Sequence, residues 1–204
     1  MKKLAVLVSG GGSNLQSIID ESKDGILKDI AEVVIVISNN PDAYGLTRAK
    51  NENIKAVALD YKNMDKQDYD NQMYNLIKES GADIICLAGY LKKVSDKIVK
   101  DYKSRILNIH PALLPKFGGK GMYGHFVHEA VIKAKEKKSG PTVHYVDENY
   151  DTGSIILQKE VPVYETDTAE DVAKRVLVQE HIIYPQAIKK VIENLWIRNI
   201  STML

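Results

Sequence analysis

The chain has 204 residues, 44% of them hydrophobic and 27% charged, with a formal net charge of +1. That balance suits one globular domain with a substantial core, and so small a charge gives no general attraction to nucleic acid or an anionic membrane. No apolar stretch approaches the roughly 20 residues of a membrane span, and the five-residue apolar run at 4–8 is too short for a signal-peptide core.

In chain order, short apolar runs at 4–8, 33–37, 56–59 and 84–88, each followed closely by Ser, Asp or Gly, predict strands. The single cysteine, Cys86, falls inside the fourth run. It reads as a buried reduced thiol, which excludes a disulfide framework and suits a cytoplasmic protein. Between the strands lie amphipathic segments, such as 65–80 with Tyr69, Met73, Leu76 and Ile77 on one face. This alternation predicts an α/β fold, a Rossmann-like and mostly parallel sheet with helices on both faces. After residue 139 two strand candidates, 141–146 and 155–163, follow without a full helix between them. An antiparallel or mixed portion is therefore expected in the C-terminal third. Thr168-Ala169-Glu170-Asp171 reads as a capping box opening a last long helix through Val172, Val176, Ile183 and Ile188. Pro185 inside that helix predicts a kink or break. With no internal repeat or rich linker, residues 1–204 are expected to form a single domain.

Ser9-Gly10-Gly11-Gly12-Ser13-Asn14 follows the first strand and opens the first helix. Glycines let a backbone approach a ligand closely, and a helix amino terminus offers free N–H groups and a positive dipole end, so a phosphate is the natural guest. No Gly-Lys-Ser/Thr completes a Walker A loop. Leu15 replaces the third glycine of a dinucleotide fingerprint, and the second strand ends in Ser38-Asn39-Asn40 with no acid for a ribose diol. A phosphomonoester fits better than NAD. The alternative is a plain glycine turn with Ser13 as helix cap.

The most informative segment is Leu107-Asn108-Ile109-His110-Pro111-Ala112-Leu113-Leu114-Pro115-Lys116. Strand alternation sends Asn108 and His110 to one face, and Pro111 stops the strand just after the histidine. An amide and an imidazole then stand together at a strand's carboxyl end, where open α/β sheets place ligands. The pair suits a carbonyl whose oxygen becomes negative in the transition state. It equally fits a strand-end histidine satisfied by the backbone, with Asn108 in ordinary turn chemistry. Asp151 lies in the polar loop Asp147-Glu148-Asn149-Tyr150-Asp151-Thr152-Gly153. Spacing alone does not pair it with His110, and the residue order does not match an EF-hand.

Taken together, the Ser-Gly-Gly-Gly-Ser-Asn loop, Asn108-Ile109-His110-Pro111 with Leu113-Leu114-Pro115, and Asp151-Thr152-Gly153 resemble the folate-dependent formyltransferases, in particular the phosphoribosylglycinamide formyltransferases. The likeness runs from about residue 3 to residue 192. It implies formyl transfer from 10-formyltetrahydrofolate to the amine of phosphoribosylglycinamide, a step of purine synthesis, with no metal. It makes Asn108, His110 and Asp151 the catalytic group and gives Gly12, Ser13 and Asn14 the substrate phosphate. Glu180 would hold the ribose or glycinamide end. Leu91, Lys92, Lys93 and Val94, with Asn108, Asp147, Glu148, Asn149, Tyr150 and Asp151, would line the folate pocket, and Lys66 stands where the family often has arginine. The stretch 117–125 matches a common variant of the family's substrate loop. The resemblance divides the chain into a phosphate-binding half, about 1–100, and a folate and catalytic half, about 101–192. Small-molecule substrates are its expected partners, with no nucleic acid or membrane, and a monomer or weak homodimer is expected.

In this reading the amine attacks the formyl carbon, and protonated His110 with the Asn108 amide stabilises the oxygen. Asp151 raises the His110 pKa and helps move the amine's proton. The nearest rival, hydrolysis of formyltetrahydrofolate, belongs to relatives that usually carry an extra amino-terminal domain, whereas this chain begins directly with its first strand. Another formyl-accepting amine would also keep the catalytic segment, and a non-catalytic phosphosugar-binding module would need only the glycine loop. His125 and His128, three apart, could share a helix face, but no third metal ligand is evident. The resemblance places His144 near the formyl site, and a satisfied strand histidine is the alternative. Trp196 is expected to cap the last helix.

Overall fold

The computed structural model describes residues 1–201, with side chains described through Ile197. In chain order the elements are β1 Lys2–Val8, α1 Ser13–Asp24, β2 Ala31–Ser38, α2 Tyr44–Asn51, β3 Lys55–Ala58, α3 Lys66–Glu79, β4 Ile84–Leu87 and α4 Asp96–Asp101. There follow β5 Ile106–His110, α5 His125–Lys133, β6 Lys138–Ser139, β7 Thr142–Tyr145, β8 Ile155–Gln158, β9 Val161–Pro162 and α6 Ala169–Ser201. Residues 202–204 of the expected domain lie outside the described residues.

Seven strands form one sheet in the order β3-β2-β1-β4-β5-β7-β8. The first five are parallel, and β7 and β8 join antiparallel. The expected mixed C-terminal portion is therefore present. Strand β1 shows why the sheet is covered on both faces. Leu4, Val6 and Val8 enter one core with Leu15, Ile18, Tyr184 and Ile188, while Ala5 and Leu7 enter a second with Tyr69, Met73 and Ile77. Burying such side chains stabilises the fold by about 1.5–3 kcal/mol each. The order reverses at β1, with β2 on one side and β4 on the other, which is the switch point where α/β sheets take ligands beyond their carboxyl ends.

Two sequence expectations need correction. The run at 155–163 is two strands, not one: β8 pairs with β7, but the chain then leaves the main sheet and β9 pairs with β6. Gly140 permits this crossing, because an added Cβ there would overlap the Lys159 carbonyl. Of the kink or break expected at Pro185, the break does not occur: the last helix continues through it. Its neighbours Ile183, Tyr184, Ala187 and Ile188 are all buried. The Tyr184 hydroxyl lies 3.0 Å from the Leu87 carbonyl and 3.1 Å from that of Leu107, bridging β4 and β5. This anchoring outweighs the roughly 3 kcal/mol proline penalty. The helix start is as read: Thr168 Oγ1 accepts from the Asp171 N–H at 3.2 Å, and the Asp171 carboxylate accepts from the Thr168 N–H at 2.9 Å. Trp196 sits within the helix and is partly exposed. Cys86 is buried and free, its thiol pushed up to about 12 by burial. Among the described residues no helix is long and apolar enough to cross a membrane.

Candidate active site

At the carboxyl ends of β4 and β5 lies a cavity of about 390 Å³. Its walls include Asn108 and His110 from β5, His144 from β7, Asp151 from the loop before β8, and residues 119–124. Leu91, Lys92, Lys93, Val94, Asp147, Asn149 and Tyr150 also line it. Glu148 and Lys66 do not. Lys66 faces a separate depression with Ser95 and Lys97, and its ammonium is 2.7 Å from the Asp70 carboxylate.

Register places the catalytic candidates side by side. Asn108 on β5 is opposite His144 on β7, and His110 is opposite Thr142. His144 Nδ1 is 2.8 Å from the Tyr145 carbonyl, which only accepts, so Nδ1 carries a proton. In the neutral ring Nε2 is then an acceptor, and Asn108 Nδ2 donates to it at 3.1 Å. That contact orients the amide and leaves its second N–H for a ligand. His144 is thus both a satisfied strand histidine and a wall of the site. Thr142 holds the chain after β5: its hydroxyl donates to the Ala112 carbonyl at 2.6 Å and accepts from the Leu114 N–H at 3.1 Å.

His110 is satisfied by the backbone and also lines the cavity. Its Nε2–H donates to the Phe117 carbonyl at 2.8 Å, and its Nδ1 faces Asp151 Oδ2 at 3.7 Å. The other Asp151 oxygen is 3.5 Å from His144 Nε2, and the Gly119 N–H donates to the carboxylate at 2.8 Å. Phe117 and Asp151 both adopt left-handed backbone (φ 57°), the kind of sparsely populated conformation that functional loops hold. Burial alone would raise the Asp151 carboxyl. The His144 and His110 rings and the Gly119 N–H together bring it below the ordinary value.

One expectation about charge is overturned. Asp151 does favour the His110 imidazolium, but the ring is only 3% exposed, and its burial outweighs that attraction. The His110 pKa is lowered rather than raised. The Nε2–H is committed to Phe117, so Nδ1 is the ring atom that faces Asp151.

The glycine loop adjoins this cavity. Gly12, at φ 70°, is itself the helix N-cap and brings no side-chain cap, so Ser13 is the first helical residue and not the cap. A Cβ on Gly12 would approach the Gly45 Cα to 2.8 Å. Asn14 turns inward: its Nδ2 donates to Glu180 Oε2 at 2.6 Å, which joins the loop to α6, while its Oδ1 is buried without a partner among the described residues. Glu180 is buried, and burial raises its pKa against the lowering effect of Asn14. Ser9 ties the loop to the cavity wall, its hydroxyl donating to Asn39 and accepting from the Leu91 N–H at 2.8 Å.

His125 and His128 do not converge on a metal. His125 is exposed and 3.0 Å from Glu129, whereas His128 is buried. Among the described residues no cluster of three or more His, Cys, Asp or Glu could hold a metal. Burial, with the charges of His125 and His110, pushes His128 down to about 4. The folded state therefore prefers the neutral ring, while the unfolded chain takes up a proton near pH 6.5. Stability is complete above about pH 6.5 and falls as pH drops toward 4, by about 3 kcal/mol at 1.4 kcal/mol per unit. Urea unfolding at pH 7 and pH 4 should show that loss in the parent chain and a smaller one in His128→Met. Equal losses would place the acid sensitivity elsewhere.

The comparisons with known proteins concern the whole chain. The formyl transferase family matches residues 2–188. Phosphoribosylglycinamide formyltransferase of Haemophilus influenzae is 42% identical over 93% of this chain and 86% of its own length. The chloroplastic phosphoribosylglycinamide formyltransferase of Arabidopsis thaliana is 42% identical over 94% of this chain, and that of Vigna unguiculata is also 42% identical. The chain spans only 66% and 61% of those two plant proteins. The crystal structure of glycinamide ribonucleotide transformylase 1 from Symbiobacterium toebii superposes with a TM-score of 0.87 at 39% identity, covering 95% of this chain and 89% of that one. On sequence and fold, this chain belongs to the formyl transferase family, within its phosphoribosylglycinamide formyltransferase group.

Proposed function

We propose that this protein transfers the formyl group of 10-formyltetrahydrofolate to the amine of 5-phosphoribosylglycinamide, giving formylglycinamide ribonucleotide and tetrahydrofolate. The observation that carries this is one cavity holding Asn108, His110 and Asp151 next to a glycine loop at a helix amino terminus. The names of the H. influenzae relative and the S. toebii structure support the same substrate. In this reading residues 1–204 act as one domain, 1–100 chiefly for the phosphate and 101–192 for folate and catalysis.

The phosphate lies on the N–H groups of Gly12, Ser13 and Asn14, where the dipole end of α1 favours negative charge. Glu180 and the unpartnered Asn14 Oδ1 accept from the ribose hydroxyls, since a buried acceptor without a donor is costly. Folate occupies the cavity between 91–94 and 147–151. Lys66 is reserved for the folate's exposed end, outside the cavity wall.

The amine attacks the formyl carbon, and a C–N bond forms as the carbonyl π pair moves to oxygen. The free N–H of Asn108 donates to that oxygen, a contact whose loss typically costs about 10²–10³ in rate. His110 Nδ1 and the Asp151 carboxylate face each other across 3.7 Å, a gap too long for a direct hydrogen bond, which suits a proton relay. The amine's proton enters this gap and passes to the folate nitrogen, which leaves with the pair of its C–N bond as the oxygen's pair re-forms the carbonyl. With its single thiol reduced and buried, the protein is assigned to the cytoplasm, as a monomer or weak homodimer.

Tetrahydrofolate release from 10-formyltetrahydrofolate should depend on added phosphoribosylglycinamide. Equal release without it would instead indicate hydrolysis, and no release in either case would end the catalytic reading.

A further inference from the structure

An anion seat built from backbone N–H groups works only if the same loop's carbonyl oxygens are turned away, because their partial negative charge opposes the guest. The loop at Gly10–Gly12 meets this condition through α2, an element the sequence gives no reason to connect with it. The Gly45 N–H donates to the Gly10 carbonyl at 3.0 Å. Arg48 Nε donates to the Gly11 carbonyl at 2.8 Å, and Arg48 Nη1 to Gln16 Oε1 at 3.2 Å. Gln16 is in turn fixed by its Nε2, which donates to Asp20 Oδ1 at 2.9 Å. The guanidinium also lies over the Tyr44 ring, 5.0 Å from its centroid. One half-buried side chain thus clamps the loop carbonyl to the first turn of the helix whose N–H groups face the ligand.

We propose that Arg48 is a positioning residue for the phosphorylated substrate: it holds the Gly11 carbonyl back and fixes the loop to α1 through Gln16. This rests on the reading of the glycine loop as the phosphate seat. The role needs the planar fork of arginine, since Nε and Nη1 reach two acceptors at once and a lysine ammonium cannot reproduce that geometry.

The test compares Arg48→Ala and Arg48→Lys with the parent enzyme on phosphoribosylglycinamide and on its dephosphorylated riboside, at saturating 10-formyltetrahydrofolate. Both variants should lose about tenfold or more in kcat/KM on the phosphorylated substrate, chiefly through KM, as for loss of a charge-assisted hydrogen bond. The KM for folate, and kcat/KM on the riboside, should stay within about twofold. Equal losses on both substrates, or a weakened folate KM, would overturn the proposal in favour of a general structural role. Full retention by Arg48→Lys would overturn it in favour of simple charge attraction. A parent enzyme that does not prefer the phosphorylated substrate would overturn the phosphate seat itself, an outcome visible before any variant is made.

Discussion

Asp151→Asn is expected to lower kcat by about 10²–10⁴-fold, the usual worth of a positioned proton-transfer group. The KM for phosphoribosylglycinamide should stay within about twofold. Asparagine suits the test because it nearly matches aspartate in shape and tolerates the left-handed backbone found at 151. Its amide can still meet the Gly119 N–H through its oxygen. What it lacks is the charge facing His110 Nδ1 at 3.7 Å and His144 Nε2 at 3.5 Å. The phosphate seat, on Gly12 to Asn14, is formed by other parts of the chain. Steady-state kinetics with each substrate varied separately makes the distinction. Near-normal turnover would remove Asp151 from the chemistry, and a large rise in ribonucleotide KM would recast it as a binding residue.

Gly153→Ala should be the most damaging single-methyl change near the site. The Asp151-Thr152-Gly153 corner lies against β7, and a Cβ on Gly153 would overlap the Tyr145 carbonyl, a backbone atom unable to swing aside. That carbonyl also fixes the proton on His144 Nδ1, and through it the tilt of Asn108. Overpacking against backbone costs about 1–3 kcal/mol or more. In a chain of this size each kcal/mol lowers the melting temperature by about 2–4 °C. Turnover should fall with it, because both Asp151 and the Asn108 donor shift. Gly10→Ala is the matched stability control: its added Cβ would meet nothing within 4 Å. Similar melting temperatures for the two variants would contradict the packing argument.

The succession of β1 to β5 along the chain, and Asn108 and His110 together at the end of a strand, were legible because each is a local pattern. Strand runs end where Ser, Gly or Pro ends them, and Pro111 fixes the strand's last residue at His110. Asp151 was legible only through the family's motif, since the loop that returns it to β5 depends on the antiparallel register of β7 and β8. The sign of the His110 shift was not readable, because it turns on burial, which the acid implied by the family's motif cannot reveal. Arg48 carried no signal either, as it sits on a separate helix 37 residues from its carbonyl partner. The break allowed for at Pro185 does not occur for a related reason: local propensity weighed against a helix whose stability comes from the sheet beneath it.

The central claim is that the formyl carbon passes to the amine of phosphoribosylglycinamide and not to water. The most direct measurement uses 10-formyltetrahydrofolate labelled with ¹³C at the formyl carbon, mixed with protein and ribonucleotide and followed by ¹³C NMR. The account predicts that the label appears as a formamide on the glycinamide nitrogen, in step with tetrahydrofolate release. Label accumulating as free formate while the ribonucleotide stays unmodified would contradict it.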